Sequence, residues 1–599
     1  MSDATTREAF ARSAELGYSV EMGTVLAELK EFTSHPHHAV LAQIMLGDTG
    51  LSSAGFPVIS EESFRLFLDH VPHLFTAGRA LLDWLYKIAA ALNTEKRDDS
   101  AGVGQLRALR VLETVVQTAA ITAPTDLWLM HHVLSGWHGA GLTERLARGE
   151  PLVMTKLAKE GLAPAQLRMD AHFLLSRGVL VASGDDTYRL AATPQAMSVA
   201  NQLPPLDPAW PVDWIPMLKA SFSGTALSRA DAALLEAFLT LPDAPTLAPS
   251  WQPGAHEVII GHRIVPIVLA YRNAAPETRN VFSPGVRRVL TAAGMTDEGG
   301  AFTALGDRVI LRGPGPFGII HAYHPYMQNH ATLLHGKSQT SWVSRGENVA
   351  ASQDANRKTF TMINDALDQF IKQQNFPLRV FIEHAVGQGE AIRQRFERSG
   401  DATIQYCGAD LEDAAIDRAA AAQQRGELPR NLRFIRKADI GDPAYLLRNL
   451  KAHGIAPKGA VMVVGNGFHE VRGQTNEKMI EVFRGYNDAG IVLIFTEESG
   501  LSDGDLLATA WNTYHAGFRY VHELSGQGLR PVYDYDAETE RFSWRRCVEA
   551  GGYQVHPGYS SHTRKIYPFP RPGGYNPAIS VNYFCIPAWL AASVRQNSP

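Results

Sequence analysis

The sequence predicts an α/β protein whose second half is a parallel-sheet domain and whose first half is largely helical. Three observations carry this reading. An apolar run at 378–382 ends in Glu383 and leads through Ala385, Gly387 and Gly389 into a helical period, which is the pattern of strand, tight turn and helix. From Arg379 onward, strand-length apolar runs alternate with helical periods, as βαβ units require. From residue 5 to about 149, apolar residues recur at spacings of three and four, as at 63–68, 80–92 and 103–120.

A chain of 599 residues is too long for one ordinary core. Three parts are expected: a helical assembly region at 1–203, a capping region at 204–370 and a sheet domain at 371–599. With 45% apolar and 20% charged residues, the composition is that of a soluble protein. A net charge of -5 gives no support for nucleic-acid binding over the whole surface. Cys407, Cys547 and Cys585 are too far apart in sequence for a metal motif, and they fit a reducing, cytoplasmic setting. The first nine residues lack a secretory apolar segment, and no apolar run reaches membrane-spanning length.

Taken in order, 152–160 and 167–175 read as helices, and 178–182 with 185–190 as a hairpin. Helix, turn, helix and hairpin make a winged-helix-like pattern. Its second helix carries Arg168, Asp170 and His172 rather than a basic stripe, so assembly or capping is expected in place of DNA reading. The proline-rich stretch 204–214 marks a boundary, and 289–306 repeats a similar small pattern. The Gly-Pro stretch 313–318 reads as a rigid turn, and 363–373 as a helix leading into the sheet domain. There the expected strands are 380–383, 403–408, 432–436, 460–464 and 491–495. The expected helices are 388–398, 412–424, 443–453 and 476–487. The tail, 552–599, carries Tyr553, Tyr559, Tyr567, Tyr575 and Tyr583 and reads as aromatic strands closing the sheet edge.

The region 371–535 resembles the class I S-adenosylmethionine-dependent methyltransferases, which have a Rossmann-like sheet. Their first motif is acid-x-Gly-x-Gly-x-Gly. Glu383, Gly387 and Gly389 match it, with Ala385 in place of the first glycine. Asp410, after the second strand, matches the acid that takes the ribose hydroxyls, and Asp439 matches the polar residue near the adenine. The resemblance implies S-adenosylmethionine as cofactor, bound by Glu383, Gly387, Gly389, Asp410 and Asp439. A dinucleotide is the alternative, but the turn lacks a clean Gly-x-Gly-x-x-Gly. The segments 313–326 and 345–354 are also similar to the junction before the core in winged-helix methyltransferases of small molecules. They look similar as well to iron-dependent C-methyltransferase domains of polyketide loading modules. That narrower likeness implies an acceptor held on an acyl carrier and a bound iron or other divalent metal.

Chemistry-bearing residues gather after the expected strands, where parallel sheets form their crevice. These are the stretches 465–470, 495–498 and 511–523. The expected catalytic residues are His469, Arg472 and His515. The expected metal ligands are His469, His515, His522 and Gln527, with Glu498 as another oxygen donor. If 511–523 is one helix, His515 and His522 stand about 10 Å apart along its axis. A metal would polarise a carbonyl and steady an enolate before methyl transfer. The alternative is metal-free O- or N-methylation with His469 as the general base. Arg472, Arg519 and Arg530 are candidates to clamp a carboxylate. His321, His324 and His330 read as structural shapers of a pocket, and His35, His37 and His38 as a loop. The expected partners are a small or acyl-carrier-bound substrate and a second copy of the chain, with no membrane and no nucleic acid. The rival reading is a winged-helix regulator that binds a nucleoside metabolite.

Overall fold

The apolar runs after residue 379 become one mixed sheet. The computed structural model describes residue 44 and residues 50–594, except 53–55, 95–99, 245, 273–281, 337–344, 400–402, 510, 512, 533–540 and 564. His35, His37 and His38 lie outside the described residues. The chain divides into two compact units. One comprises Met1–Trp342, Ser502–Gly517 and Ile566–Asn576; the other comprises Val343–Leu501, Phe518–Lys565 and Pro577–Pro599.

The second unit holds the sheet. Its strands are β1 (Val380–His384), β2 (Gln405–Asp410), β3 (Arg433–Arg436), β4 (Val461–Gly465), β5 (Val492–Glu498), β6 (Gln554–Val555), β7 (Ser561–His562) and β8 (Ser580–Ile586). They run in the order β3-β2-β1-β4-β5-β8-β6, and β7 also pairs with β8. Strands β1 to β5 are parallel, and β8 enters antiparallel against β5. The expected strands and helices all form, with ends shifted by a few residues. The helices are α1 (Arg345–Gln374), α2 (Glu390–Ser399), α3 (Asp413–Gln424), α4 (Pro443–Ala452), α5 (Asn476–Asp488) and α6 (Trp544–Ala550).

Side chains alternate along each strand, so the sheet feeds two cores. Phe381 packs with Ala391 and Ile392 of α2 and Ile416 of α3. Val380 and Ile382 turn the other way, to Leu446 and Leu450 of α4 and Met479 and Val482 of α5. The chain leaves β1 for β2 on one side and later returns to β4 on the other. That reversal sets a topological switch point at the carboxyl ends of β1 and β4, the place where open α/β sheets bind their ligands.

The first unit is built on two long helices, Ser100–Gly139 and Ala255–Arg272. The second of these is apolar on almost every side and almost wholly buried, as a helix in the middle of a core must be. No helix among the described residues is long and apolar enough to cross a membrane. Helices Met154–Lys159 and Pro164–Ser176 form where the sequence places them, as does the hairpin Leu180–Gly184 with Thr187–Leu190. Leu152 and Val153, expected in the first of those helices, instead add a third strand beside Thr187 and Tyr188.

Three expectations need correction. The Gly-Pro stretch at 313–318 is no turn, because Pro314–His321 is a helix. Pro314 and Pro316 fall in its first turn, where backbone N–H groups have no helical partner to lose. The segment 511–523 is not one helix; it starts only at His515, after Trp511 in a left-handed conformation (φ 65°). The aromatic tail does not all join the sheet. Tyr567 and Tyr575 belong to the helical unit, where each donates to Asp505, at 2.5 and 2.6 Å.

An ion pair is sealed in the helical unit. Arg177 and Asp126 are 1% and 0% exposed and stand 3.2 Å apart. Asp126 also accepts the Gly517 amide at 3.0 Å, and Arg177 donates to the Leu506 carbonyl at 2.8 Å. Burial lifts the Asp126 pKa to about 7, against the pull of Arg177 and the amide. Arg177→Met leaves that acid without its cation. It is expected to lower the unfolding free energy by about 3–5 kcal/mol in a urea titration. A loss below about 1 kcal/mol would show that the pair is worth no more than a surface bridge.

Candidate active site

The first element of the site is the turn after β1. Glu383 and His384 point to opposite faces of the strand. Glu383 is 1% exposed, and its two oxygens accept the amides of Ala391 (3.2 Å) and Ile392 (2.9 Å). Burial raises its pKa to about 8, while those two amides pull it back. Both oxygens are engaged by the chain's own backbone, so Glu383 fixes the start of α2 against the strand. Between strand and helix, Ala385, Gly387 and Gly389 have φ of 57°, 54° and 81°. Left-handed residues at every second position curl the turn into a tight cradle, in which the amides of Ala385, Val386, Gly387 and Gly389 are each bonded within the fold. Ala385 adopts the conformation at a cost of about 1–2 kcal/mol that glycine would not incur. His384 Nδ1 accepts the Ala385 amide at 2.9 Å and holds it there.

The next two strands contribute acids to the same edge. Asp410 closes β2, and its oxygens accept the amides of Gly387 (3.2 Å) and Glu412 (2.9 Å). The second-strand acid is thereby tied to the first-strand turn. Asp439 follows β3, is exposed, and accepts the Gly441 amide at 2.7 Å. His384 adds a feature that the sequence reading did not single out. Its Nδ1 accepts a hydrogen bond, so its proton sits on Nε2, a buried nitrogen without a hydrogen-bond partner. Burial pushes its pKa down to about 3.

The fourth and fifth strands supply a dyad. After β4, Asn466 is left-handed (φ 54°) and Phe468–Glu470 forms one 3₁₀ turn. That turn carries His469 over the end of β5. His469 Nδ1 lies 2.7 Å from Glu497 Oε2, and Glu497 Oε1 accepts the amides of Phe468 (2.6 Å) and His469 (3.3 Å). The histidine is 3% exposed and the glutamate 1%. Burial alone would depress the His469 pKa, but the charge and hydrogen bond of Glu497, with Glu470 and Glu498 nearby, outweigh it and hold the imidazole above its usual range. Burial pushes the Glu497 pKa up, while His469 and the two amides draw it back. Three donors on one carboxyl favour its ionised form. With Nδ1–H given to the carboxylate, the lone pair of neutral His469 lies on Nε2. This is the arrangement of a general base held in one tautomer.

His522 and Gln527 share the neighbourhood. The His469 and His522 rings are 4.9 Å apart, and His522 Nδ1 bonds to the Phe518 carbonyl at 2.6 Å. The Gln527 amide donates to the His522 carbonyl, and the Gly528 amide to that of His469. His515 belongs to the helical unit, where its Nδ1 bonds to Thr513 Oγ1. Among the described residues, no three or more His, Cys, Asp or Glu are grouped to hold a metal. Arg472 is exposed just beyond the 3₁₀ turn. Arg519 donates to the Leu501 carbonyl at 2.8 Å. Arg530 is fully buried and donates to Gln474, Asn476 and the carbonyls of Thr475 and Phe542, so the fold occupies it and it is no substrate clamp.

The sequence reading favoured Glu498 over Glu497 for a role here. The signal was present: counting by two from Phe495 puts Glu497 on the face that carries Phe468.

The mixed sheet after a largely helical region resembles a Rossmann-like class I methyltransferase domain in its strand order and antiparallel β8. No family model and no curated protein matches the chain. Among solved structures, it aligns with the CurJ carbon methyltransferase at 10% identity over 85% of this chain and 99% of that one (TM-score 0.39). It aligns with the citrinin polyketide synthase CMeT domain at 12% identity over 85% and 98% (TM-score 0.39). The DszA carbon methyltransferase aligns at 11% identity over 77% and 89%, with the same score.

The cradle makes opposite demands at two positions. In Gly389→Ala the new Cβ would lie 2.9 Å from Leu428 Cδ1 in a left-handed backbone. That variant is expected to unfold at lower urea, with about 1–2 kcal/mol lost. Ala385→Gly relieves strain but loosens the unfolded chain, for a net gain of about 0.5–1 kcal/mol. A destabilised Ala385→Gly would show that the left-handed turn is not the native one.

Proposed function

We propose that the sheet unit transfers a methyl group from S-adenosylmethionine to a small or carrier-bound metabolite, at a carbon next to a carbonyl. The His469–Glu497 dyad at the carboxyl edge is the observation that carries this reading. When bound, the cofactor supplies a methyl on a sulfonium centre. The glycines of the turn, Gly387 and Gly389, let the backbone come close to its amino-acid end, while Asp410 suits its ribose hydroxyls and Asp439 its adenine side. His469 Nε2 takes the acidic proton of the acceptor, and Glu497 steadies the imidazolium that forms. A metal-assisted variant, with iron or another divalent ion, would draw on His469, His522 and Gln527. With Nδ1 held by Glu497, the Nε2 of His469 is the nitrogen that such a metal would take.

In the same reading, residues 1–203 serve assembly, with a homodimer as the expected state, and 204–370 cap the acceptor. The winged-helix-like element at 152–190 is read as serving assembly or capping rather than nucleic acid, and the pairing of its Arg168 with Asp186 at 2.6 Å supports that reading. The cytoplasm is the expected compartment.

The test uses methyl-labelled S-adenosylmethionine and the N-acetylcysteamine thioester of acetoacetate as acceptor. Label is expected on the carbon between the carbonyls. His469→Ala is expected to lose about 10²-fold or more in turnover while it still binds the cofactor. The wild-type rate should rise with pH through an apparent pKa above the ordinary histidine value, because Glu497 holds the imidazole protonated longer. Glu497→Gln removes that charge, so the limb should move to lower pH as the rate falls. An unmoved limb, or full turnover in His469→Ala, would remove the dyad from the reaction.

A further inference from the structure

Arg530 is a wholly buried cation that the proposed reaction leaves unused. Its guanidinium donates to Gln474 Oε1 (3.2 Å), Asn476 Oδ1 (2.7 Å), the carbonyls of Thr475 (2.9 Å) and Phe542 (3.1 Å), and Cys547 Sγ (3.4 Å). None of these acceptors is a carboxylate. Burial lowers its pKa from the ordinary arginine range. A guanidinium taken out of water without a paired anion is costly, and an apolar side chain of like size would pack there with less penalty. What this cost maintains is visible in the partners. Gln474, Thr475 and Asn476 are consecutive, and they lie where the chain passes from the 3₁₀ turn of His469 into α5.

Gln474 carries the connection on to the turn. A guanidinium has only donors, so the Gln474 amide must present its oxygen to Arg530. Its nitrogen then faces the turn, and Nε2 donates to the carbonyls of Phe468 and His469, each at 3.0 Å. The same two residues give their amides to Glu497 Oε1. The turn is therefore held on both sides, its carbonyls by Gln474 and its amides by Glu497. The Gly528 amide, two residues before Arg530, adds a further bond to the His469 carbonyl at 3.2 Å. Donation runs one way, from Arg530 through Gln474 to the turn. We propose that Arg530 and Gln474 are positioning residues that hold His469 against Glu497, so that the imidazole keeps its proton on Nδ1 and its lone pair on Nε2. The proposal rests on the reading of His469 as the base, but its first test needs no substrate.

The test reads the Nδ1–H proton of His469 by NMR at one fixed pH, in the full chain isotope-labelled at the histidine nitrogens. Buried and bonded to Glu497, this proton is expected as a downfield signal that exchanges slowly with water and is missing from His469→Gln. Gln474→Met removes both bonds of the amide to the turn. Gln474→Glu gives Arg530 a carboxylate but sets an acceptor against the carbonyls of Phe468 and His469, so the fold is kept while the turn is released. In both variants the proton is expected to exchange at least about tenfold faster than in wild type. In Gln474→Glu this should come with no fall in the urea midpoint. Turnover of the acetoacetyl thioester should drop by a similar factor in kcat at unchanged KM. Wild-type exchange in both variants would overturn the proposal, whatever their turnover. So would a wild-type spectrum without the signal, which removes the dyad itself, or faster exchange matched by unfolding at lower urea in both variants, which marks a merely structural role. Faster exchange in the variants of a protein that transfers no methyl group would uphold the positioning and count against the reading of the function.

Discussion

Burial of both faces of β1 to β5 forces the polar chemistry of this sheet to its carboxyl ends, and the candidate site follows from that constraint. Val380, Phe381 and Ile382 are consumed by the two cores, so the first position on β1 open to chemistry is Glu383. The same holds on β4, where the apolar run ends at Gly465, and on β5, where it ends at Phe495. Buried carboxylates beyond those points are held by backbone amides or by a side-chain partner. Glu383 is held by two amides of α2, Asp410 by the turn, and Glu497 by two amides and His469. Each bond fixes an element and sets a charge with the same atoms.

The dyad shows how burial and pairing oppose each other. A buried imidazole alone loses its proton easily, as His384 does, with its pKa near 3. His469 is as deeply buried, yet a carboxylate 2.7 Å away reverses the direction. Two histidines at the same sheet edge therefore differ in chemistry because one has an acid partner and the other an amide donor. A base that works near neutral pH needs that upward correction.

Much of this was legible in the sequence. The alternation of apolar runs and helical periods gave the strands and helices of the sheet unit, because burial on both faces writes an unbroken apolar run. The turn was legible from Gly387 and Gly389, although the left-handed Ala385 was not, since nothing in an alanine announces a positive φ. His469 was legible from its place after β4. Its partner was harder, because Glu497 and Glu498 are neighbours and only the register of β5 separates them. The helix at Pro314–His321 was read as a turn because proline's tolerance in a first helical turn depends on where the helix begins. Arg530 looked like a clamp because sequence shows a guanidinium but not the groups that occupy it.

The central claim is that the carboxyl edge of this sheet holds S-adenosylmethionine at the turn after β1. Titration calorimetry of the full chain with S-adenosylmethionine tests it most directly, with Asp410→Ala alongside. The account predicts one molecule bound per chain, and at least about tenfold weaker binding when the Asp410 carboxylate is removed. Wild-type protein that takes up no S-adenosylmethionine would contradict it.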